Sequence, residues 1–226
     1  MRVIAGSARG MRLKAPEGRG TRPMTDRVKE SLFGTLASLG YPQAGDRVLD
    51  LYAGTGSLGI EALSRGAGWC DFVEQNAGVG RIIAANLAFT RLAERARVHS
   101  MAVDAYLKLR AVGRNLRAGD KEPLPDVKCD IILMDPPYAD PAIHAILGQV
   151  AAGPFLAPEG LLVVGHATTV TLPDAPGPLR RIRQRTFGGS AFSLYKYAAA
   201  AAATDGRADP GDEDAPPDAA DDEEIC

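Results

Sequence analysis

Apolar residues recur along this chain in two rhythms, and the change from one to the other organises it. Val28, Leu32, Leu36 and Leu39 stand at helical spacing, so an amphipathic helix is expected from about Thr25, a suitable N-cap, to the region of Gly40 and Pro42. From Arg47 onward, short apolar runs at 48–51, 69–74, 97–100, 130–135 and 161–164 alternate with helical patterns at 58–65, 77–92, 102–109 and 141–151. Such alternation predicts βαβ units and a mostly parallel sheet. Two more runs, 181–186 and 192–197, are separated by little beyond Gly188-Gly189, the signature of an antiparallel hairpin at a sheet edge. The first fourteen residues carry a smaller signal, two short strands at 2–6 and 11–14 joined by Ser-Ala-Arg-Gly, which reads as a basic β-hairpin. The expected fold is therefore α/β, with a seven-stranded sheet, an antiparallel C-terminal strand hairpin, and an N-terminal β-hairpin and helix.

Residues 16–23 (PEGRGTRP) read as a Gly/Pro/Arg loop, and 111–128 as a polar connection containing proline. After Tyr197 comes a run of six alanines and then an Asp/Glu/Pro/Gly segment without periodicity. That segment has too little apolar surface to offset the entropy of ordering it, so disorder is expected. The chain thus divides into 1–42 (hairpin and helix), 43–197 (the α/β domain) and 198–226 (tail), with no internal repeat.

At 226 residues and 46% apolar content, there is material for one domain and a small appendage rather than two domains. No stretch approaches the ~18 apolar residues of a membrane span, and the first fourteen residues lack a signal-peptide core. Cys70, Cys129 and Cys226 are odd in number and in no metal-ligand or redox spacing. A cytoplasmic protein without a bound metal is expected, and nothing calls for more than a monomer.

Charge changes the picture more. The net charge of −2 hides an asymmetry: residues 204–226 hold ten acids and one arginine, which leaves 25 Lys and Arg against 18 Asp and Glu elsewhere, a net of +7. Residues 1–30 contain Arg2, Arg9, Arg12, Lys14, Arg19, Arg22, Arg27 and Lys29, and a second cluster comprises Arg180, Arg181, Arg183 and Arg185. Clusters of this kind suit a polyphosphate partner, because each neutralised phosphate releases counterions.

Two motifs carry candidate chemistry. The first, VLDLYAGTGSLG at 48–59, is a strand, a glycine turn and a helix start, where backbone N–H groups can approach a ligand. Its Gly-x-Gly-x-x-Gly spacing and Glu74 at the end of the next strand also fit a nicotinamide dinucleotide, so a dehydrogenase remains open on this motif alone. Asp50, four residues before Gly54, discriminates: it would repel a pyrophosphate and attract the ammonium and sulfonium of S-adenosylmethionine. The second motif, DIILMDPPY at 130–138, is an apolar strand ending in Asp135-Pro136-Pro137-Tyr138. The prolines remove two N–H donors and stiffen the backbone, leaving carboxylate and carbonyl acceptors beside an aromatic ring. That set suits a planar base presenting an NH₂ group: Asp135 and the Pro136 carbonyl accept its hydrogens while Tyr138 stacks, a contact worth ~1–3 kcal/mol. Held this way, the amine lone pair is localised and aimed, by orientation and preorganised electrostatics.

The segments MRVIAGSARGMRLK, TRPMTDRVKESLF, LDLYAGTGSLGIEALSRGA, FVE and DPPY together resemble the Rossmann-like S-adenosylmethionine-dependent methyltransferases, and among them the bacterial small-subunit rRNA guanine-N2 methyltransferases of RsmD type. The resemblance covers about residues 1–197; FGGSAFSLYKY matches less tightly, and DPPY alone is shared with adenine-N6 and glutamine methyltransferases. It implies that Asp50, Gly54 and Gly56 hold the methionine moiety, that Glu74 binds the ribose hydroxyls, and that Asp104 and Ala105 contact adenine. Asp135, Pro136, Pro137 and Tyr138 become the target-amine motif. Arg22, Thr25 and Asp26 fall in a segment resembling a lid over the site, and Arg9 and Arg12 belong to a hairpin that docks RNA. Gly165-His166 departs from the acid common after that strand, and His166 reads as a polar rim residue. The implied partner is small-subunit rRNA, within an assembling subunit or free. Adenine-N6 methylation of DNA or RNA, and a non-catalytic RNA-binding assembly factor, are the competing readings.

Overall fold

The computed structural model describes residues 1–16, 25–113, 127–137 and 140–198. Arg22, Tyr138, most of the two expected loops and the tail from residue 199 lie outside the described residues. In chain order the elements are α1 (Asp26–Ser38), β1 (Arg47–Leu51), α2 (Ser57–Ser64), β2 (Trp69–Val73), α3 (Ala77–Thr90), β3 (Ala96–His99), α4 (Val103–Ala111), β4 (Cys129–Met134), α5 (Ile143–Ala152), β5 (Leu156–Ala167), β6 (Leu179–Phe187) and β7 (Ser190–Tyr197). They form one seven-stranded sheet in the order β3-β2-β1-β4-β5-β7-β6. The first five strands in that order run parallel, and β7 pairs antiparallel with both β5 and β6.

Alternate strand residues face opposite sides, and here both sides are covered. Val48, Ile131, Leu133, Val163, Phe192 and Leu194 pack with α1, α2 and α3, through residues such as Leu32, Leu63 and Ile83. Leu49, Leu51, Ile132, Met134, Val164 and Tyr195 pack with α4 and α5, through Tyr106, Leu107 and Ile146. Burial on both faces explains why these strands read as continuous apolar runs. Strand order reverses between β1 and β4, and ligands of doubly wound sheets occupy the crevice beyond the carboxyl ends at such a switch point.

The N-terminal hairpin is narrower than its pattern suggests: strand pairing reduces to a single bridge between Arg2 and Arg12. The Val3 and Leu13 N–H groups bond across the hairpin to the Met11 and Met1 carbonyls, while four donors between them go to α2. Ile4 and Ala5 N–H groups donate to Glu61 Oε2 and Oε1 (2.7 and 3.0 Å), and those of Ser7 and Ala8 donate to the Ser64 carbonyl and Oγ (2.8 and 2.9 Å). Gly6, with φ of 83°, backs onto α2 so closely that an added Cβ would overlap the Ser64 carbonyl. Glu61 is fully buried, as is Lys29 of α1, whose Nζ lies 3.7 Å from Glu61 Oε2 and donates to the Arg2 carbonyl at 2.6 Å. Arg65 Nε donates to Glu61 Oε1 at 2.7 Å. Asn86 of α3, also fully buried, ties Lys14 at the hairpin's end to the Thr55 carbonyl of the glycine turn. Val3, Ala8 and Leu13 thereby join the same apolar cluster as α1, α2 and α3.

Candidate functional site

Beyond β1 the chain turns through Tyr52, Gly54 and Gly56 at φ of 61, 55 and 77°, a region that only glycine enters without strain. Tyr52 is the exception, and such outliers cluster at functional sites. Gly56 is the N-cap of α2 and has no side chain to cap it; Asp50 does so from β1, accepting the Gly59 N–H at Oδ2 (2.9 Å). Asp50 is thus, first, a remote helix cap. Burial pushes its carboxyl well above the usual range, and the charges of Asp135 and Glu74 add to that while the Gly59 N–H opposes it. Among the described residues its Oδ1 has no hydrogen-bond partner. Gly59, the third glycine, is a packing position, since an added Cβ there would overlap Phe72 and crowd Cys70 of β2.

Glu74 follows β2. Its oxygens accept the Gly54 and Asn76 N–H groups (3.0 and 2.8 Å), and its own N–H donates to the His99 carbonyl at the end of β3. The ends of β1, β2 and β3 therefore meet around one residue, Glu74. An added Cβ at Gly54 would meet nothing closer than the Tyr52 carbonyl at 3.9 Å, so the turn is open on that side. An open glycine turn flanked by two acids fits a ligand bearing a cation and hydroxyl donors, and is unfavourable for a pyrophosphate. Asp104 and Ala105 lie in the first turn of α4, just beyond β3. Asp104 accepts from Lys108 Nζ (2.7 Å) and from Gln149 Nε2 of α5 (2.9 Å), and these bonds hold its carboxyl below the usual range.

The other half of the crevice is built by β4. Asp135 follows Met134, and its own N–H reaches back to the Leu51 carbonyl of β1. Its carboxylate lies against Gly165 of β5, where an added Cβ would overlap Oδ1. A glycine inside a strand marks such a close approach. Burial raises the Asp135 carboxyl to about 6. Pro136 is buried and Pro137 exposed. Further on, the Asp140 N–H donates to the Pro137 carbonyl and Asp140 Oδ1 accepts the Ala142 N–H. Burial and the charge of Asp140 raise the Tyr52 hydroxyl to about 12.

Thr25 caps α1 through its Oγ1, which accepts the Val28 N–H, and Asp26 pairs with Arg2 at 3.1 Å on the surface. Arg9 and Arg12 are exposed on the hairpin. His166 differs from the rim position expected of it. It is buried within β5, with Nε2 3.0 Å from Ser193 Oγ of β7 and Nδ1 2.9 Å from the Ala167 carbonyl, and burial lowers its proton affinity. The groups that the motifs did not announce are Gly165, Tyr52, Glu61 and Asn86. Gly165 had a signal, a lone glycine breaking the apolar run LLVVGHA.

Gly165→Ala is expected to push the Asp135 carboxylate aside without unfolding the sheet, since β5 accepts alanine elsewhere. Displacements near 1 Å cost on the order of 10²-fold in rate. Single-turnover methylation alongside a thermal melt checks this: the rate falls and the melting midpoint stays near wild type.

A family model described as conserved hypothetical protein 95 matches residues 1–196. A Bacillus subtilis (strain 168) relative, YlbH, provisionally named an rRNA methyltransferase, is 37% identical over 196 residues, spanning 87% of this chain and 98% of its own. Ribosomal RNA small subunit methyltransferase D of Escherichia coli (strain K12) is 32% identical over 197 residues, spanning 87% of this chain and 89% of its own. Among solved structures, Escherichia coli yhhF, provisionally named a methyltransferase, superposes with a TM-score of 0.72 at 30% identity, covering 88% of this chain and 99% of its own. A structure of the methyltransferase-like SMU.776 complexed with SAH shares the fold at a TM-score of 0.53 and 16% identity, covering 67% of this chain and 45% of its own.

Proposed function

We propose, from the premise that this chain belongs to the RsmD-type methyltransferase family described as conserved hypothetical protein 95, that it methylates the exocyclic N2 amine of a guanine in small-subunit rRNA. The observation that carries this reading is the Asp135 carboxylate. It is seated over Gly165 beside the Pro136 carbonyl, across the switch-point crevice from the acid-flanked glycine turn.

S-adenosylmethionine, when bound, supplies an electrophilic methyl carbon on a sulfonium. The residues suited to hold it are Asp50 and the Gly54–Gly56 turn toward its charged end, Glu74 toward its ribose, and Asp104 with Ala105 toward its base. Asp135 and the Pro136 carbonyl accept the two amine hydrogens and turn the nitrogen lone pair out of the ring plane. Tyr138, as the aromatic of the motif, stacks on the base. The amine nitrogen gains a bond to carbon as the sulfur–carbon bond breaks and its electron pair returns to sulfur. The nitrogen then sheds a proton, and Asp135, with proton affinity raised by burial, stands where it can take it. Most of the acceleration comes from orientation and preorganised acceptors rather than from a strong base.

The partner is RNA docked on the hairpin through Arg9 and Arg12. The target base leaves its stack to reach the site, at a cost of a few kcal/mol that an exposed loop reduces. Incubating the protein with labelled S-adenosylmethionine and unmodified small-subunit rRNA particles, then digesting for mass spectrometry, tests the reading. N2-methylguanosine is the expected product. N6-methyladenosine would overturn the substrate, and an unmethylated RNA despite cofactor binding would favour an assembly factor.

A further inference from the structure

The second arginine cluster is sorted by a single backbone irregularity. β6 pairs with β7 so that Arg181 faces Tyr195, Arg183 faces Leu194, Gln184 faces Ser193 and Arg185 faces Phe192, with a register shift between Arg181 and Arg183. Ile182 is the extra residue, a β-bulge that reverses which face the following side chains take. Paired residues project to the same side, so Arg181 shares the α4–α5 face with Tyr195, whereas Arg183 and Arg185 share the α1–α3 face with Leu194 and Phe192. Phe187, two residues on, confirms the assignment by stacking on Phe192 at 5.8 Å.

The bulge also divides the arginines by what they touch. Arg181 is bound in place, paired with Asp174 and donating to the Leu172 carbonyl. Arg180 donates to the Gly177 and Leu179 carbonyls at the start of the strand. Arg183 and Arg185 are exposed and, among the described residues, have no acidic partner.

Their position relative to the crevice gives them a use. Gly165 pairs with Phe192, and Phe192 with Arg185, so the three lie in one row across the sheet. Two interstrand steps place the Arg185 Cα about 10 Å from that of Gly165, and the Asp135 carboxylate sits directly against Gly165. Asp135 continues the alternation of Leu133, which packs on the α1–α3 face, so its carboxylate is on the face that Arg183 and Arg185 take. β6 runs parallel to β5, which carries these arginines toward the same strand ends as Asp135.

We propose that Arg183 and Arg185 form a second phosphate-binding patch, separate from the N-terminal hairpin, that takes backbone phosphates flanking the target nucleotide. The inference rests on the reading of the crevice as an RNA methyltransferase site. Two unpaired guanidinium groups in line with the reacting position hold the strand on the side of the base opposite the cofactor turn. Exposed guanidinium groups bind phosphate oxygens without reading sequence, so the patch fixes register rather than base identity.

The test uses the full chain, unmodified small-subunit rRNA, and three variants: Arg183→Ala with Arg185→Ala, Arg183→Lys with Arg185→Lys, and Arg180→Ala. RNA affinity is read by anisotropy between 50 and 200 mM salt, and kcat and KM by methyl incorporation. The double alanine variant should raise KM with kcat and S-adenosylmethionine affinity little changed. Its log–log salt slope should be shallower by ~1.4, so that wild-type binding falls about seven-fold further across that range. The double lysine variant should keep the wild-type slope, and Arg180→Ala, at the far end of β6, should change neither. Equal KM and slope in wild type and the double alanine variant would overturn the patch, as would an equal loss in Arg180→Ala. If the wild type methylates no RNA, the proposed function fails, while the salt slopes still judge the arginines.

Discussion

Asp135→Ala is expected to lower kcat by at least ~10²–10³-fold, the usual cost of losing a preorganised group at the reacting atom, with little change in S-adenosylmethionine affinity. In the proposed reading Asp135 stands on the target side of the crevice, whereas Asp50, the glycine turn and Glu74 line the cofactor side. Loss of kcat alone is therefore the expected signature, read by single-turnover rates and cofactor titration. A matching loss of cofactor affinity would mean that Asp135 supports the pocket rather than the amine.

The same residue sets a pH dependence. An ionised carboxylate is the stronger acceptor for amine hydrogens and the only form that can take the proton the nitrogen sheds, and burial raises this carboxyl to about 6, so kcat/KM should climb with pH through that value and level off above it. Stability moves the other way. A folded-state value above the unfolded one means that the folded protein holds the proton more tightly between about pH 4 and 6, so stability falls as pH rises through that window. Above it, the ionised buried carboxylate costs on the order of 3 kcal/mol. Asp135→Asn, which keeps a neutral acceptor but cannot take a proton, should therefore be slower and lose the rise with pH, yet be more stable than wild type at neutral pH, with the difference closing toward pH 4 in urea titrations. A site group that costs stability is the trade expected of a functional residue.

The sheet was legible because its central strands are buried on both faces. Runs such as DIILMD and LLVV admit no other placement, and the observed strands differ from the expected ones mainly at their ends. β5 starts at Leu156 rather than near 161 because it continues past a bulge to pair with Cys129, and a bulge leaves no periodic trace. α3 stops at Thr90, where Arg91 turns left-handed, although Leu92 extends its apolar pattern. The candidate site was legible where chemistry and sequence neighbourhood coincide, as in Asp135-Pro-Pro. It was not legible where a side chain works across the fold. Asp50 reads as ligand-facing from its place in the turn, yet one of its oxygens caps a helix. The hairpin reads as self-paired, and it is at Val3, Gly10 and Leu13, yet its donors at Ile4, Ala5, Ser7 and Ala8 go to Glu61 and Ser64, more than fifty residues away. The bulge at Ile182, which decides which arginines face the crevice, shows in the register alone.

Glu61→Ala should destabilise the protein by ~3–5 kcal/mol, because removing one partner of a buried pair strands the other charge. Lys29 is fully buried, burial already lowers its proton affinity, and the neighbouring Glu61 charge does most to oppose that. Without Glu61, Lys29 keeps only the Arg2 carbonyl, and the Ile4 and Ala5 N–H groups lose their acceptors. For a domain of this size such a loss lowers the melting midpoint by roughly 10 °C. Lys29→Met combined with Glu61→Gln removes the stranded charge and keeps an acceptor for the hairpin, so the double variant should recover most of the loss. A double-mutant cycle of melts checks this: strong non-additivity is expected, and additive losses would mean that the two residues contribute independently. The pair has consequences for the reaction because of where it sits. Glu61 lies one turn into the helix that opens at the glycine turn, Lys29 lies on α1, and the hairpin they hold carries Arg9 and Arg12. One buried carboxylate thus fixes the hairpin that is proposed to dock RNA to the helix that opens at the glycine turn. A partial loss such as Glu61→Gln alone should appear first as a raised KM for RNA, at temperatures where the sheet is still folded.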